Sequence, residues 1–284
     1  MIKIGFNTLV WSAVVSDAQF PLLDRLKEVG YDGVEVFIGA PDEKAYKRFG
    51  DHARSLGLGV TSVFVVGKDD NPVDPTPAIR QAALDRIKWG IDRAHDMGAS
   101  LFAGPMHSAH SVFTRQAPQD IEYTRAAEVL RAAGDHAEQA GVTLGLEALN
   151  RFESYLCNTM VQLKRLVDET AHPRVRAMYD THHANIEEKN HLQAIRHIAP
   201  VLCHVHISEN DRGTPGSGHV QWDENFSALA DIKYSGWMTI EAFSRNDPDF
   251  ANAIGVWREY DEPWDIATKG IDFIKAKCAQ HGLR

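Results

Sequence analysis

Eight short runs of β-forming residues alternate along the chain with longer amphipathic stretches, and this alternation limits the possible folds more than any other feature. Strands separated by helices predict a parallel sheet, because each helix carries the chain back to the start of the next strand. Eight repeats favour an α/β fold, the (β/α)8 TIM barrel, which we predict as a single domain over residues 1–284. The runs are Ile2–Leu9, Gly33–Ile38, Gly59–Val66, Ser100–Gly104, Thr143–Ala148, Val175–Tyr179, Val201–Ile207 and Met238–Ala242.

Glycines at the ends of helical stretches support the same architecture. Gly30, Gly57, Gly98 and Gly141 each follow a helical stretch and precede a strand, which is the position of a helix C-cap. A doubly wound open sheet is the alternative fold. The sequence contains neither a dinucleotide-type nor a Walker-type glycine-rich phosphate loop, so we prefer the barrel and expect no nucleotide cofactor.

Four residues with metal-ligand side chains lie at the carboxyl ends of the last four predicted strands. They are Glu147, Asp180, His206 and Glu241, separated by 33, 26 and 35 positions. One barrel unit takes ~31 residues, and barrels carry their functional groups at the carboxyl ends of the strands. Three carboxylates and one imidazole are ligands that suit Mn²⁺, Mg²⁺ or Co²⁺. The spacing therefore predicts a metal site at the barrel mouth.

Two of these residues could also transfer protons. The fifth and eighth strands of a barrel lie roughly 135° apart around its axis. Glu147 and Glu241 would then approach a bound substrate from different sides. That arrangement suits the removal of a proton from one face and its return to the other.

Histidines near the predicted ligands leave choices open. His204 and His206 point to the same side of one strand, and His206 is the better ligand because it is nearer the carboxyl end. His204 is either a second ligand or a core histidine. Only one of the adjacent His182 and His183 can face the mouth if the backbone stays extended there.

Two charged residues follow their strands closely enough to reach a pocket from loops. Glu153 and Arg212 each lie about five residues beyond a strand end. Arg212 offers a fixed cation with a fork of donors, placed to reach a substrate oxygen and not the ion. Both residues could equally lie on the surface.

Composition excludes several classes of partner. The formal charge is −9, with no block of Lys or Arg, which disfavours nucleic acid. No apolar run approaches the ~20 residues of a membrane span, so no membrane partner is expected. Cys157, Cys203 and Cys278 form no CxxC pair, and the start of the chain does not resemble a signal peptide. We therefore expect a cytoplasmic protein that binds a neutral small molecule.

Several motifs occur in order along essentially the whole chain. They are LEALNRFE (Leu146–Glu153), YDTHHANIEE (Tyr179–Glu188), HVHISENDR (204–212), IEAFSR (240–245) and GVWRE (Gly255–Glu259). In these motifs the chain resembles the ketose 3-epimerases, the D-tagatose, D-psicose (allulose) and L-ribulose 3-epimerase group within the xylose isomerase-like TIM barrels.

The resemblance implies epimerisation at carbon 3 of free ketoses of the D-tagatose, D-psicose/D-fructose and L-ribulose type. Two glutamates, Glu147 and Glu241, would remove and return the proton through a metal-stabilised cis-enediolate. It implies that Mn²⁺ is held by Glu147, Asp180, His206 and Glu241, with Co²⁺ or Mg²⁺ as possible substitutes. The sugar is the expected small-molecule partner, and the expected assembly is a homodimer or homotetramer.

The resemblance also implies a substrate pocket. Glu153, His183 and Arg212 match the substrate-binding residues of the family. The wall around the distal end of the sugar is expected to comprise Phe6, Trp11, Phe64, Val66, Met106, His107 and Phe243.

Three positions depart from the family pattern and bear on substrate preference. The family usually has Phe where His182 stands, Met where Ala184 stands and Pro where Ala242 stands. The alternative function is an aldose–ketose or hydroxypyruvate-type isomerase on the same scaffold. A DNA-repair endonuclease of related fold would need more metal ligands and a basic surface, and a binding module would not need paired carboxylates.

Overall fold

Eight parallel strands close into a barrel in chain order in the computed structural model, which describes residues 1–284. The last strand pairs with the first, so that Ile4 lies opposite Met238 and the sheet has no free edge. The predicted TIM barrel is confirmed. The strands are β1 Ile2–Asn7, β2 Gly33–Phe37, β3 Gly59–Val63, β4 Leu101–Gly104, β5 Thr143–Leu146, β6 Val175–Asp180, β7 Leu202–Ile207 and β8 Gly236–Ile240.

Helices connect the strands, and none of them has the length and apolar character needed to cross a membrane. Gly30, Gly98 and Gly141 each cap the helix that precedes them with left-handed backbone, as their positions predicted. The helices are α1 Phe20–Val29, α2 Glu43–Ser55, α3 Pro77–Met97, α4 Asp120–Ala140, α5 Met160–Thr170, α6 Thr181–Glu187, α7 His191–Ile198, α8 Trp222–Asp231, α9 Pro248–Ala253 and α10 Pro263–His281.

Several strands end two or three residues earlier than the sequence pattern predicted. The first ends at Asn7, whose side chain accepts a hydrogen bond from the backbone N–H of Leu9 and caps a short 3-10 turn, Thr8–Val10. The sixth strand passes directly into α6, so His182 and His183 lie on a helix and not on extended backbone. The chain therefore turns sooner at the mouth than expected, which changes the residues that face it.

Apolar side chains fill the space between the barrel and the helices, and they include the fully buried Phe6, Phe49 and Phe102. A smaller apolar group at the mouth joins Phe243 to the segment around α9, where the rings of Phe243 and Phe250 are 5.3 Å apart. The barrel interior near the mouth is polar instead. Such a concentration of buried polar groups is costly unless they bind one another or a ligand.

Candidate active site

The four predicted ligand residues come together at the carboxyl ends of four neighbouring strands. Glu147 and Glu241 directly follow β5 and β8, Asp180 ends β6, and His206 lies on β7. All four are buried, and one donor atom from each lies within 4.8 Å of the others. We call these four residues the ligand quartet.

Two atoms of the quartet have no partner in the protein. His206 Nδ1 and Glu147 Oε1 are buried and form no hydrogen bond. The same His206 Nδ1 lies 3.5 Å from Glu241 Oε2, 3.6 Å from Asp180 Oδ2 and 4.0 Å from Glu147 Oε1. Buried polar atoms normally have partners, and a divalent cation would satisfy these two. Oxygen donors with one imidazole nitrogen suit Mn²⁺ or Mg²⁺, so the residues present fit such an ion.

Glu35 of β2 also belongs to the site, because it contacts the quartet residue His206. Sequence analysis did not identify it. Its fully buried carboxylate accepts hydrogen bonds from His206 Nε2 at 2.7 Å, Thr61 Oγ1 at 2.8 Å and Asn7 Nδ2 at 3.1 Å. His204 Nε2 lies 2.9 Å from Glu35 Oε2. Burial raises the pKa of Glu35, but the two imidazoles outweigh burial and hold this pKa well below its usual range.

The Glu35 contact fixes the tautomer of His206. A carboxylate can only accept, so His206 Nε2 carries a hydrogen, and Nδ1 is the ring nitrogen that faces the other three ligands. The signal that could have found Glu35 is an acidic residue inside the otherwise apolar strand GVEVF, Gly33–Phe37.

Arg212 lies closer to the quartet than we expected. Its Nη1 donates to Asp180 Oδ2 at 2.9 Å, to Glu241 Oε2 at 2.8 Å and to Ser208 Oγ at 2.8 Å. Its backbone φ is 65°, a left-handed conformation that costs a non-glycine residue on the order of 1 kcal/mol. This guanidinium therefore contacts two quartet carboxylates as well as facing the cavity.

The carboxyl groups of the quartet differ in their environments. Burial, and then the charge of Glu241, raise the pKa of Glu147 well above its usual range. Burial also tends to raise the pKa of Asp180, but Arg212 and His183 outweigh it and lower this pKa well below normal. Glu147 thus binds a proton more readily than Asp180 does, which suits an acid–base role.

Glu153 and His183 lie beside the quartet and share the neighbour Asn150. The Asn150 backbone N–H donates to His183 Nδ1 at 3.0 Å, and its side chain donates to Glu153 Oε1 at 2.7 Å. Burial lowers the pKa of His183 to about 3. Burial raises the pKa of Glu153, but His110, 3.5 Å away, and His183 outweigh it and lower this pKa. A neutral imidazole and a carboxylate therefore face the same space.

A cavity of about 330 Å³ opens at this mouth, with one polar and one apolar side. Such a volume lies at the lower end of small-molecule sites. Its polar side comprises Glu147, Glu153, His183, Arg212, Glu241 and His110. Its apolar side includes Leu9, Phe37, Val63 and Phe64, at or just after the ends of β1 to β3, and Leu149 and Phe250 add apolar surface after β5 and β8. We call this space the main cavity.

The structure places only part of the predicted wall in the main cavity. Phe64 and Phe243 line it. Trp11 instead packs against Phe6 and Trp264, with ring centroids 5.1 and 4.9 Å apart. Four further predicted wall residues are buried behind the lining: Phe6, Val66, Met106 and His107.

His107 has a contact that explains its buried position. Its Nε2 lies 2.7 Å from the backbone oxygen of Glu147, and its Nδ1 lies 3.0 Å from Ser108 Oγ. Burial lowers the pKa of His107 to about 4. The imidazole supports the backbone of a quartet residue from outside the cavity.

Comparison with known proteins agrees with this geometry. Residues 23–283 match the family described as a xylose isomerase-like TIM barrel. An L-ribulose 3-epimerase of Mesorhizobium japonicum is 31% identical, over 91% of this chain and 88% of that protein. A D-psicose 3-epimerase of Enterocloster bolteae is 31% identical, over 95% and 91%. The crystal structure of a D-allulose 3-epimerase from Methylomonas sp. in complex with D-allulose superimposes with a TM-score of 0.90 at 27% identity, covering 97% of each chain.

Proposed function

Because this chain belongs to the ketose 3-epimerases of the xylose isomerase-like TIM barrel family, an isomerase class, we propose that it inverts carbon 3 of free ketoses. The proposed substrates are of the D-tagatose, D-psicose/D-fructose and L-ribulose type. The observation that carries the proposal is the pair Glu147 and Glu241, which reach one buried site from non-adjacent strands. No observation favours the aldose–ketose alternative.

We propose that the ligand quartet holds Mn²⁺, with Co²⁺ or Mg²⁺ as substitutes. The two unpartnered atoms, His206 Nδ1 and Glu147 Oε1, support this assignment. A divalent cation bound there supplies Lewis-acid polarisation of the ketose carbonyl, which acidifies the neighbouring carbon 3. Glu35 holds His206 in the tautomer that binds a cation through Nδ1.

Glu147 and Glu241 perform the proton transfers. One carboxylate takes the proton from carbon 3 on one face, breaking the C–H bond, and the other glutamate delivers a proton to the opposite face. The overall change is an inversion without oxidation or reduction, so no nucleotide is required. General acid–base catalysis of this kind contributes typically about 10²–10⁴-fold to the rate.

The polar side of the main cavity holds the sugar. Glu153 accepts hydrogen bonds from hydroxyl groups, and Arg212 donates to an oxygen. The apolar side contacts the distal carbons, and an apolar wall rejects a differing hydroxyl only weakly. We therefore propose activity on several ketopentoses and ketohexoses. We also propose that the protein is a cytoplasmic homodimer or homotetramer.

The test follows deuterium from the solvent into the sugar product. The Mn²⁺-loaded protein is incubated with a panel of ketopentoses and ketohexoses in deuterated water, and the products are identified by NMR. The proposal predicts inverted ketose with deuterium at carbon 3 and no aldose. Deuterium at carbon 1 or 2 together with aldose would establish the isomerase instead. A Glu147→Gln/Glu241→Gln double variant is the control for background exchange.

A further inference from the structure

A second, smaller cavity of about 150 Å³ adjoins the main cavity on its polar side. Glu153, Arg212, Phe243 and Ile254 line both spaces, so the two are direct neighbours. His182, Asp211 and Tyr260 line only the smaller one. We call this space the side cavity, and nothing in the mechanism above uses it.

His182 presents one ring nitrogen to a ligand. Its Nδ1 lies 3.1 Å from the backbone oxygen of Glu209. A carbonyl oxygen only accepts, so the hydrogen is on Nδ1, and Nε2 has no partner in the protein. One possible metal-ligand atom from each of His182, Glu153 and His183 lies within 4.8 Å of the other two. His182 and Glu153 therefore offer two neighbouring acceptors at the edge of the side cavity.

His182, Glu153 and His183, which we call the trio, could hold a second cation. Their surroundings favour a hydroxyl group instead. The Arg212 guanidinium lies 3.0 Å from His183 Nε2 and would repel a cation. His183 Nδ1 already accepts a hydrogen bond from the Asn150 backbone. A hydroxyl group can donate to His182 or Glu153 and accept from Arg212 at the same time.

The two cavities differ in the way that the two ends of a ketose differ. A ketose whose carbons 2 and 3 lie between Glu147 and Glu241 has a one-carbon hydroxymethyl end and a longer end of two or more carbons. The main cavity is about 330 Å³ with an apolar side, and the side cavity is about 150 Å³ with mostly polar walls. The longer end fits the first and the hydroxymethyl end fits the second.

Building on the proposed function, we propose that His182, at the edge of the side cavity, hydrogen-bonds the carbon 1 hydroxyl group of the ketose. His182 is then a residue that determines specificity. It selects ketoses with a free carbon 1 hydroxyl over analogues that lack this group. Sites built to hydrogen-bond a hydroxyl discriminate far more strongly than apolar walls do.

The test compares one ketose with its 1-deoxy and 6-deoxy analogues in the wild type and in His182→Phe. We expect kcat/KM for the parent ketose and for the 6-deoxy analogue to fall about 5-fold to 10-fold, the scale of one hydrogen bond. We expect kcat/KM for the 1-deoxy analogue to stay unchanged. His219→Phe is the matched control, because His219 is exposed and its substitution should alter none of the three values.

Further variants separate specificity from a structural role. His182→Gln retains a polar group near the Nε2 position and should recover most of the preference for the parent ketose; if His182→Phe fails to fold, this variant and His182→Ala provide the comparison. An equal loss on parent and 1-deoxy substrate, or a loss that follows the carbon 6 hydroxyl, would overturn the proposal. Two bound metal ions per chain would assign the trio to a cation instead. A wild type that inverts no ketose would contradict the proposed function itself, whereas normal inversion without dependence on His182 contradicts only this inference.

Discussion

The two sides of the barrel mouth differ in composition and in origin. The side formed after β5 to β8 has the ligand quartet and Arg212, with buried charges in direct contact. The side formed after β1 to β3 presents Leu9, Phe37 and Val63, which have no polar side-chain groups. Under the proposed function, the first side acts on the part that all ketoses share, and the second limits only the shape of the rest. In the proposed function, one half of the barrel determines the reaction and the other half adjusts the substrate range.

Removal of the cation should have the largest effect on activity, because it disables the polar side of the mouth and leaves the apolar side intact. We expect chelation by EDTA to abolish activity and Mn²⁺ or Co²⁺ to restore it. Metal should also raise the melting temperature, because a ligand that binds only the native state stabilises it. Elemental analysis beside the activity assay checks this. Full activity in a metal-free sample would refute the cation requirement.

Loss of either quartet glutamate should have the next largest effect. Glu147→Gln and Glu241→Gln should each lower kcat by at least about 10²–10⁴-fold, since each loses a proton-transfer group and a ligand charge. Glu138→Gln, at an exposed position on α4, is the matched control and should be neutral. If either variant kept nearly full activity with metal bound, two-glutamate catalysis would be wrong.

The Arg212→Ala variant tests whether substrate binding and cation binding depend on different residues of the polar side. Arg212→Ala should lower kcat/KM about 10-fold to 100-fold, the range for hydrogen bonds to a charged group. Metal content should not fall, because removing a positive charge beside Asp180 and Glu241 favours a cation. Parallel loss of metal and activity would instead give Arg212 a role in building the site.

Glu35 sharpens the comparison, because it belongs to β2 but acts on the polar side. Glu35→Gln should weaken Mn²⁺ binding about 10-fold to 100-fold, as expected when the group behind a metal-binding histidine is lost. Thr61→Val, which removes one donor to the same carboxylate, should have a smaller effect. Mn²⁺ titration followed by EPR measures both. Unchanged affinity in Glu35→Gln would show that His206 does not depend on this contact.

The apolar side should respond weakly and selectively. Phe37→Leu alters the wall without removing a hydrogen bond, so we expect changes of only a few-fold to about 10-fold in the ratio of kcat/KM for a ketohexose over a ketopentose. Metal affinity should be unchanged. A profile confined to one sugar, with no turnover of its stereoisomers, would contradict a permissive wall.

The sequence predicted the polar side better than the apolar side, for a physical reason. Barrel-unit spacing identifies residues that directly follow strands, and Glu147 and Glu241 do so. Wall residues depend on where a strand ends and which side each residue faces, and a shift of one residue reverses the facing. Phe6 accordingly packs against Tyr31 in the core, with ring centroids 5.4 Å apart, while Leu9 of the 3-10 turn lines the cavity.

Two other features were beyond the sequence pattern. The contact between Glu35 and His206 joins β2 to β7 across 171 positions, and no local periodicity encodes such a distance. The left-handed backbone of Arg212 brings its guanidinium back over the quartet, and a loop sequence does not specify that path.

The central claim is that two glutamates act on opposite faces of carbon 3, and the fate of the proton tests it most directly. A ketose with protium at carbon 3 is incubated with the Mn²⁺-loaded protein in deuterated water, and both epimers are analysed by NMR at low conversion. Transfer by two separate groups predicts deuterium at carbon 3 of the product epimer and protium in the remaining substrate. Product that retains the substrate's own protium, or carries label at another carbon, would contradict the account.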